Sequence, residues 1–111
     1  MIRLLVADDS DAVRFGLRQL LANQPDFAIL GMAADGREAV TMAVADPPDV
    51  VVMDLSMPVL DGVAATREIT HAIPSVRVLV LTSYSHESKV REVFAAGARG
   101  HLLKDSPPPK P

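Results

Sequence analysis

Asp8, Asp9, Asp54, Thr82 and Lys104 are the residues of this 111-residue chain whose combined types could do chemistry. Three carboxylates drawn together repel, and one is pushed toward protonation unless a cation intervenes. Hard oxygen ligands with no His or Cys among them suit Mg²⁺ or Mn²⁺. A lysine is a compact charge suited to a phosphoryl oxygen, and a hydroxyl can donate to another. Metal, lysine and hydroxyl together neutralise a transferring phosphoryl group, while a carboxylate serves as the nucleophile that receives it. Asp54 is the best candidate for that nucleophile. It ends the apolar run of "DVVVMDLSMP" (residues 49–58), where a carboxylate loses hydration and needs a compensating partner.

These residues need elements to bring them together. "IRLLVA" (Ile2 to Ala7) is a short, mostly apolar run that reads as a buried strand and stops at Asp8-Asp9. Val13, Leu17, Leu20 and Leu21 then fall on one helical face, with Arg14, Arg18 and Gln19 largely elsewhere. "FAILGMAA" (Phe27 to Ala34) predicts a second strand, and Ala39, Val40, Ala43 and Val44 a second helix. "VVVM" (Val50 to Met53) is a third strand, followed by a helix from about Gly62 to Ala72. "VRVLVLT" (Val76 to Thr82) is a fourth strand, Val90, Val93 and Phe94 mark a fourth helix, and "GHLL" (Gly100 to Leu103) is a fifth strand. Strict alternation of strand and helix implies an α/β domain with a parallel sheet, and continuous apolar runs fit strands covered on both faces. On that scaffold Asp8-Asp9, Asp54, Thr82 and Lys104 each follow or end a strand. In an open parallel sheet ligands bind outside those carboxyl ends.

Composition narrows the classes. Apolar residues make up 49% and aromatics 4%, so the core is aliphatic. The net charge of −3 gives no reason to expect nucleic-acid contact by this chain. With no cysteine there is neither a disulfide framework nor a thiolate metal site. The apolar runs are too short to span a bilayer. A strand-like run beginning at Ile2 leaves no room for a signal peptide, so a cytoplasmic domain is expected.

The ordered set "LLVADDS", "VVVMDLSMPVLDG", "VLVLTSYS" and "GARGHLLKD" resembles the receiver domain of two-component response regulators. The resemblance is strongest to the receivers that precede a LuxR-type DNA-binding domain, the NarL/FixJ-like group. It implies a flavodoxin-like, doubly wound, five-stranded parallel sheet of order 2-1-3-4-5 with five helices. It further implies that Asp54 is the phosphoacceptor, and that Asp9, Asp54 and the backbone carbonyl of Ser56 ligate Mg²⁺, with Asp8 acting through water. Thr82 would be the switch hydroxyl and Lys104 the phosphoryl-contacting lysine. A histidine kinase would be the donor and transcription the output, reached through a DNA-binding domain that this chain lacks. Such a receiver is a switch rather than an enzyme, catalysing only its own phosphorylation and dephosphorylation.

Two departures from the pattern stand out. Three residues before the lysine, where the family commonly has an aromatic switch residue, stands His101, whose charge near neutral pH would bring a pH dependence. After Lys104 the pattern requires a fifth helix, which "DSPPPKP" cannot form. The expected organisation is therefore a receiver over residues 1–105 and a proline-rich tail over 106–111, truncated before the fifth helix. The sheet face left bare by that helix is expected to favour a homodimer.

Each of these residues taken alone has a plainer explanation. Asp8-Asp9 could cap a helix, Asp54 and Thr82 could be ordinary strand exits, and Lys104 a solvated strand end. Together those explanations require independent coincidences at one sheet edge. A phosphatase of the haloacid-dehalogenase type would need an aspartate two residues after Asp54, where Ser56 stands. A flavodoxin would need a phosphate loop where Asp8-Asp9 would repel one. A receiver-like interaction module that is never phosphorylated is disfavoured by the complete acidic set with Lys104.

Overall fold

The structure, a computed structural model, describes residues 1–83 and 89–104. The proline-rich tail expected over 106–111 lies outside them, as do the last residues of "VLVLTSYS". The elements alternate as β1 (Ile2–Ala7), α1 (Asp11–Ala22), β2 (Phe27–Ala33), α2 (Gly36–Ala45), β3 (Val50–Asp54), α3 (Gly62–Ala72), β4 (Arg77–Thr82), α4 (Val90–Ala95) and β5 (Gly100–Leu103). All strands pair in parallel, in the order β2-β1-β3-β4-β5. This is the flavodoxin-like topology that the resemblance implies, with four helices among the described residues. Boundaries move by one residue at three places: Asp54 is the last residue of β3, β4 begins at Arg77, and β2 ends at Ala33.

Local chemistry sets the helix starts. Ser10, Asp35 and Asp61 are extended residues whose side chains accept from Val13, Glu38 and Ala64 N–H groups, satisfying donors that a helix start leaves orphaned. Among the described residues the short α4 has no such side-chain cap. At its other end Gly97 adopts φ +117°, a left-handed conformation that costs glycine little, and the chain turns into β5.

One face of the sheet carries the buried core. Leu5, Ala7, Val51, Met53, Val78 and Val80 pack with Ala39, Ala43, Ala65, Ile69 and Val93 from α2, α3 and α4 in a single core. The alternate residues of the strands turn to the other face, where α1 is the one helix among the described residues. There Leu4, Val52, Leu79, Leu81 and Leu102 join Leu17 and Leu20 around an apolar groove of about 360 Å³. No residue of α1 is buried, and Leu20, on its predicted apolar stripe, is 62% exposed.

Candidate functional site

The crossover topology delivers the singled-out residues to one edge. Asp8 and Asp9 follow β1, Asp54 ends β3, Thr82 ends β4 and Lys104 follows β5. The pairing of β1 with β3 sets Ala7 opposite Met53, so the two acidic positions leave neighbouring strands at the same level. Asp8 and Thr82 are wholly buried and Asp54 is 2% exposed, whereas Asp9 and Ser56 are exposed. Carboxylate oxygens of Asp8, Asp9 and Asp54 all lie within 4.8 Å of one another.

Lys104 ties this cluster together. Its Nζ stands 2.8 Å from Asp8 Oδ2 and 2.9 Å from Asp54 Oδ1, so one ammonium bridges two buried carboxylates. Its backbone N–H donates to the Thr82 carbonyl at 2.8 Å, which anchors the lysine at the end of the β4–β5 ladder. Asp8 Oδ1 accepts from the Ser10 N–H at 2.9 Å, and Asp54 Oδ1 receives a long contact of 3.4 Å from the Ser56 N–H. Apart from its ion pair with Lys104, Asp8 Oδ2 accepts no hydrogen bond among the described residues. The Thr82 hydroxyl donates to the Ser83 carbonyl at 3.2 Å.

Burial pushes the Asp54 carboxyl above its ordinary range; Lys104 opposes this and the Asp8 charge adds to it. For Lys104, burial acts to lower the ammonium, but the hydrogen bonds and charges of Asp8 and Asp54 outweigh it and raise it. One lysine therefore pairs with two of three clustered carboxylates and leaves a deficit of positive charge. The donor set is all oxygen and partly buried, and the one partner of Asp8 Oδ2 among the described residues is the shared Lys104 ammonium. These are the features a hard divalent cation requires, so the residues fit Mg²⁺ or Mn²⁺.

His101 lies on the outer part of β5, exposed, with its ring edge-on to Phe94 of α4 at 5.8 Å between centroids. The structure brings Asp8, Asp9, Asp54 and Lys104 together, sets Thr82 beside them on the neighbouring strand, and leaves His101 among the exposed residues of β5.

Two supporting residues have roles that the sequence does not signal. Arg14 Nη1 donates to the Asp8 carbonyl at 2.6 Å, although helical periodicity assigns Arg14 only to a polar face. Gly36 meets the carbonyl of Leu60 so closely that a β-carbon would overlap it, which holds the loop after β3 against the start of α2.

A five-stranded parallel sheet whose carboxyl edge gathers buried carboxylates around one lysine defines a class of phosphoryl-handling α/β domains. Residues 4–110 match the response regulator receiver domain family, and the chain belongs to it. It is 45% identical over 106 residues to the transcriptional regulatory protein LiaR of Bacillus subtilis, covering 96% of this chain and 50% of that protein. Among solved structures it is similar to the response regulator domain of Thermotoga maritima CheB, with a TM-score of 0.87, 37% identity, and coverage of 94% of this chain and 78% of the other. A LuxR-family two-component response regulator from Aurantimonas gives a TM-score of 0.88 at 36% identity, covering 96% and 76%. The chain spans about half the length of the curated relatives it matches. As a receiver domain it is a phosphoacceptor switch of two-component signalling. No helix among the described residues is long and apolar enough to cross a membrane.

Proposed function

We propose that Asp54 is the phosphoacceptor and that a histidine kinase is the donor. The observation that carries this reading is the Lys104 ammonium, 2.9 Å from Asp54 Oδ1 and 2.8 Å from Asp8 Oδ2. It marks Asp54 as a buried carboxylate with a cation already placed where a phosphoryl oxygen would arrive. An Asp54 oxygen attacks the phosphorus of a phosphohistidine, the P–O bond forms as the P–N bond breaks, and the released imidazole nitrogen takes up a proton. Lys104 then neutralises one phosphoryl oxygen and the Thr82 hydroxyl donates to another. Asp9, Asp54 and the Ser56 carbonyl would hold Mg²⁺ or Mn²⁺, with Asp8 acting through water. When bound, the cation supplies charge neutralisation of the transferring group and of the acidic cluster.

Thr82 and His101 are the proposed switch residues. Thr82 ends β4 and His101 lies on the neighbouring β5, edge-on to Phe94 of α4, so a reoriented hydroxyl adjoins the surface formed by α4 and β5. The output is proposed to be transcription through a LuxR-type domain outside this chain, since the chain matches about half of relatives named as transcriptional regulators. We place the receiver over 1–105 with a proline-rich tail over 106–111, acting in the cytoplasm as a homodimer, without nucleic-acid contact of its own. Intact mass before and after acetyl phosphate with Mg²⁺ tests the acceptor. One phosphoryl group should add to the wild type and none to Asp54→Asn. A labelled Asp54→Asn variant would move the acceptor elsewhere, and an unlabelled wild type would favour an interaction module that is never phosphorylated.

A further inference from the structure

Arg14 lies in the first turns of α1, and its guanidinium reaches back beneath the start of the helix. Nη1 donates to the Asp8 carbonyl at 2.6 Å, and Nη2 pairs with the carboxylate of Asp11. The side chain is only 20% exposed, while that of Asp11 is almost fully solvated. The reason the carbonyl needs a donor is positional. The ladder of β1 ends at Ala7, and the Asp8 N–H is taken by the Ala33 carbonyl at 3.0 Å. The Asp8 carbonyl lies beyond the last ladder pair in a wholly buried residue, where an unmet acceptor costs free energy.

That carbonyl belongs to the peptide plane joining Asp8 to Asp9. The Asp8 side chain is held independently, by Lys104 on one oxygen and the Ser10 N–H on the other. Asp9 is different: it is exposed, and among the described residues no hydrogen bond holds its carboxylate. Among the described residues, only its backbone therefore fixes where its side chain starts. Resting on the reading that Asp9 is a cation ligand, we infer that Arg14 is a positioning residue for the divalent cation. By fixing the Asp8–Asp9 peptide plane it keeps the Asp9 carboxylate within 4.8 Å of those of Asp8 and Asp54.

The sign of the effect separates positioning from simple electrostatics. A positive guanidinium near an acidic cluster opposes cation binding, so removing it should tighten Mg²⁺ if charge alone mattered. Removing it should weaken Mg²⁺ if the carbonyl contact orients Asp9, and outer partners of ligands commonly cost about tenfold or more in metal affinity. The test is Mg²⁺ titration at constant ionic strength, followed by backbone amide shifts in the wild type, Arg14→Met, Arg14→Lys and Asp9→Ala. Thermal melts without Mg²⁺ report any purely structural effect. Arg14→Met should bind Mg²⁺ about tenfold more weakly. Its labelling by acetyl phosphate should be slow at low Mg²⁺ and return to the wild-type rate at saturation. Arg14→Lys, with one ammonium to share between the Asp8 carbonyl and Asp11, should fall between. Arg14→Met binding as tightly as wild type, or tighter, overturns the inference. If that variant does not fold, parity of Arg14→Lys with wild type overturns it instead. Failure of the underlying cation reading looks different: the wild type would not bind Mg²⁺, or Asp9→Ala would bind it unchanged.

Discussion

Gly62 stands so close to Asp54 that a β-carbon on it would overlap the Asp54 carbonyl oxygen and lie 2.7 Å from the Cα of Leu55. Its N–H donates to the Leu55 carbonyl at 2.9 Å, so the first residue of α3 is fastened directly beneath the proposed phosphoacceptor. The neighbours are backbone atoms, which cannot rotate aside as a flexible side chain can. Gly62→Ala should therefore destabilise the domain by about 2 kcal/mol or more and slow labelling of the folded fraction. Chemical denaturation paired with acetyl phosphate labelling checks both; unchanged stability would mean that the loop yields freely.

The raised carboxyl of Asp54 makes stability depend on pH. Burial, aided by the Asp8 charge, outweighs Lys104, so the native state holds the proton more firmly than the unfolded chain does. The corresponding stability is present below the unfolded carboxyl range and is lost as pH rises through the raised native value. At neutral pH without metal, the ionised Asp54 is thus a burden. Asp54→Asn keeps an oxygen for Lys104 and removes the charge. It should melt higher at pH 7 in a chelator, by on the order of 5 °C, and the gap should close below about pH 4. Melts across pH 4 to 8 measure it, and a gap that widens toward acid would contradict the assigned direction.

Val59 adopts φ +69° in the tight turn where the Leu60 N–H donates to the Pro58 carbonyl at 2.7 Å. A β-branched residue is strained there, and its side chain is 79% exposed, so little packing compensates. Relief of that strain should exceed the entropic cost of glycine. Val59→Gly should raise stability by about 1 kcal/mol, read from a denaturation midpoint at constant slope. A fall in the midpoint would indicate that the valine makes contacts in solution.

The groove between α1 and β5 should govern association. Leu20 and Leu102 face it and are 62% and 52% exposed, within a lining that is otherwise aliphatic or aromatic. Contiguous apolar surface of this kind recruits a partner or aggregates, and a closed two-fold pair is the commonest ordered result. The chain should self-associate in light scattering, and Leu20→Glu with Leu102→Glu should render it monomeric while preserving its circular dichroism. A monomeric parent chain would remove the groove from consideration as a dimer surface.

The order of strands and helices was legible in the sequence because apolar runs and 3.6-residue stripes are local properties. The placing of Asp8, Asp9, Asp54, Thr82 and Lys104 at one edge followed as well, since every strand of a parallel sheet presents its carboxyl end to the same side. What the periodicity of Leu17, Leu20 and Leu21 conveys is that they share a face; it says nothing about what covers them, and the tertiary structure leaves Leu20 largely open. The bridging of Asp8 and Asp54 by a single ammonium, the reach of Arg14 to the Asp8 carbonyl and the edge-on pairing of Phe94 with His101 were likewise decided by the fold. Each depends on strand register and side-chain rotamers settled between segments far apart in the chain or across a helix start. Spacing along the chain sets which elements form, whereas contact between side chains is fixed only once those elements pack.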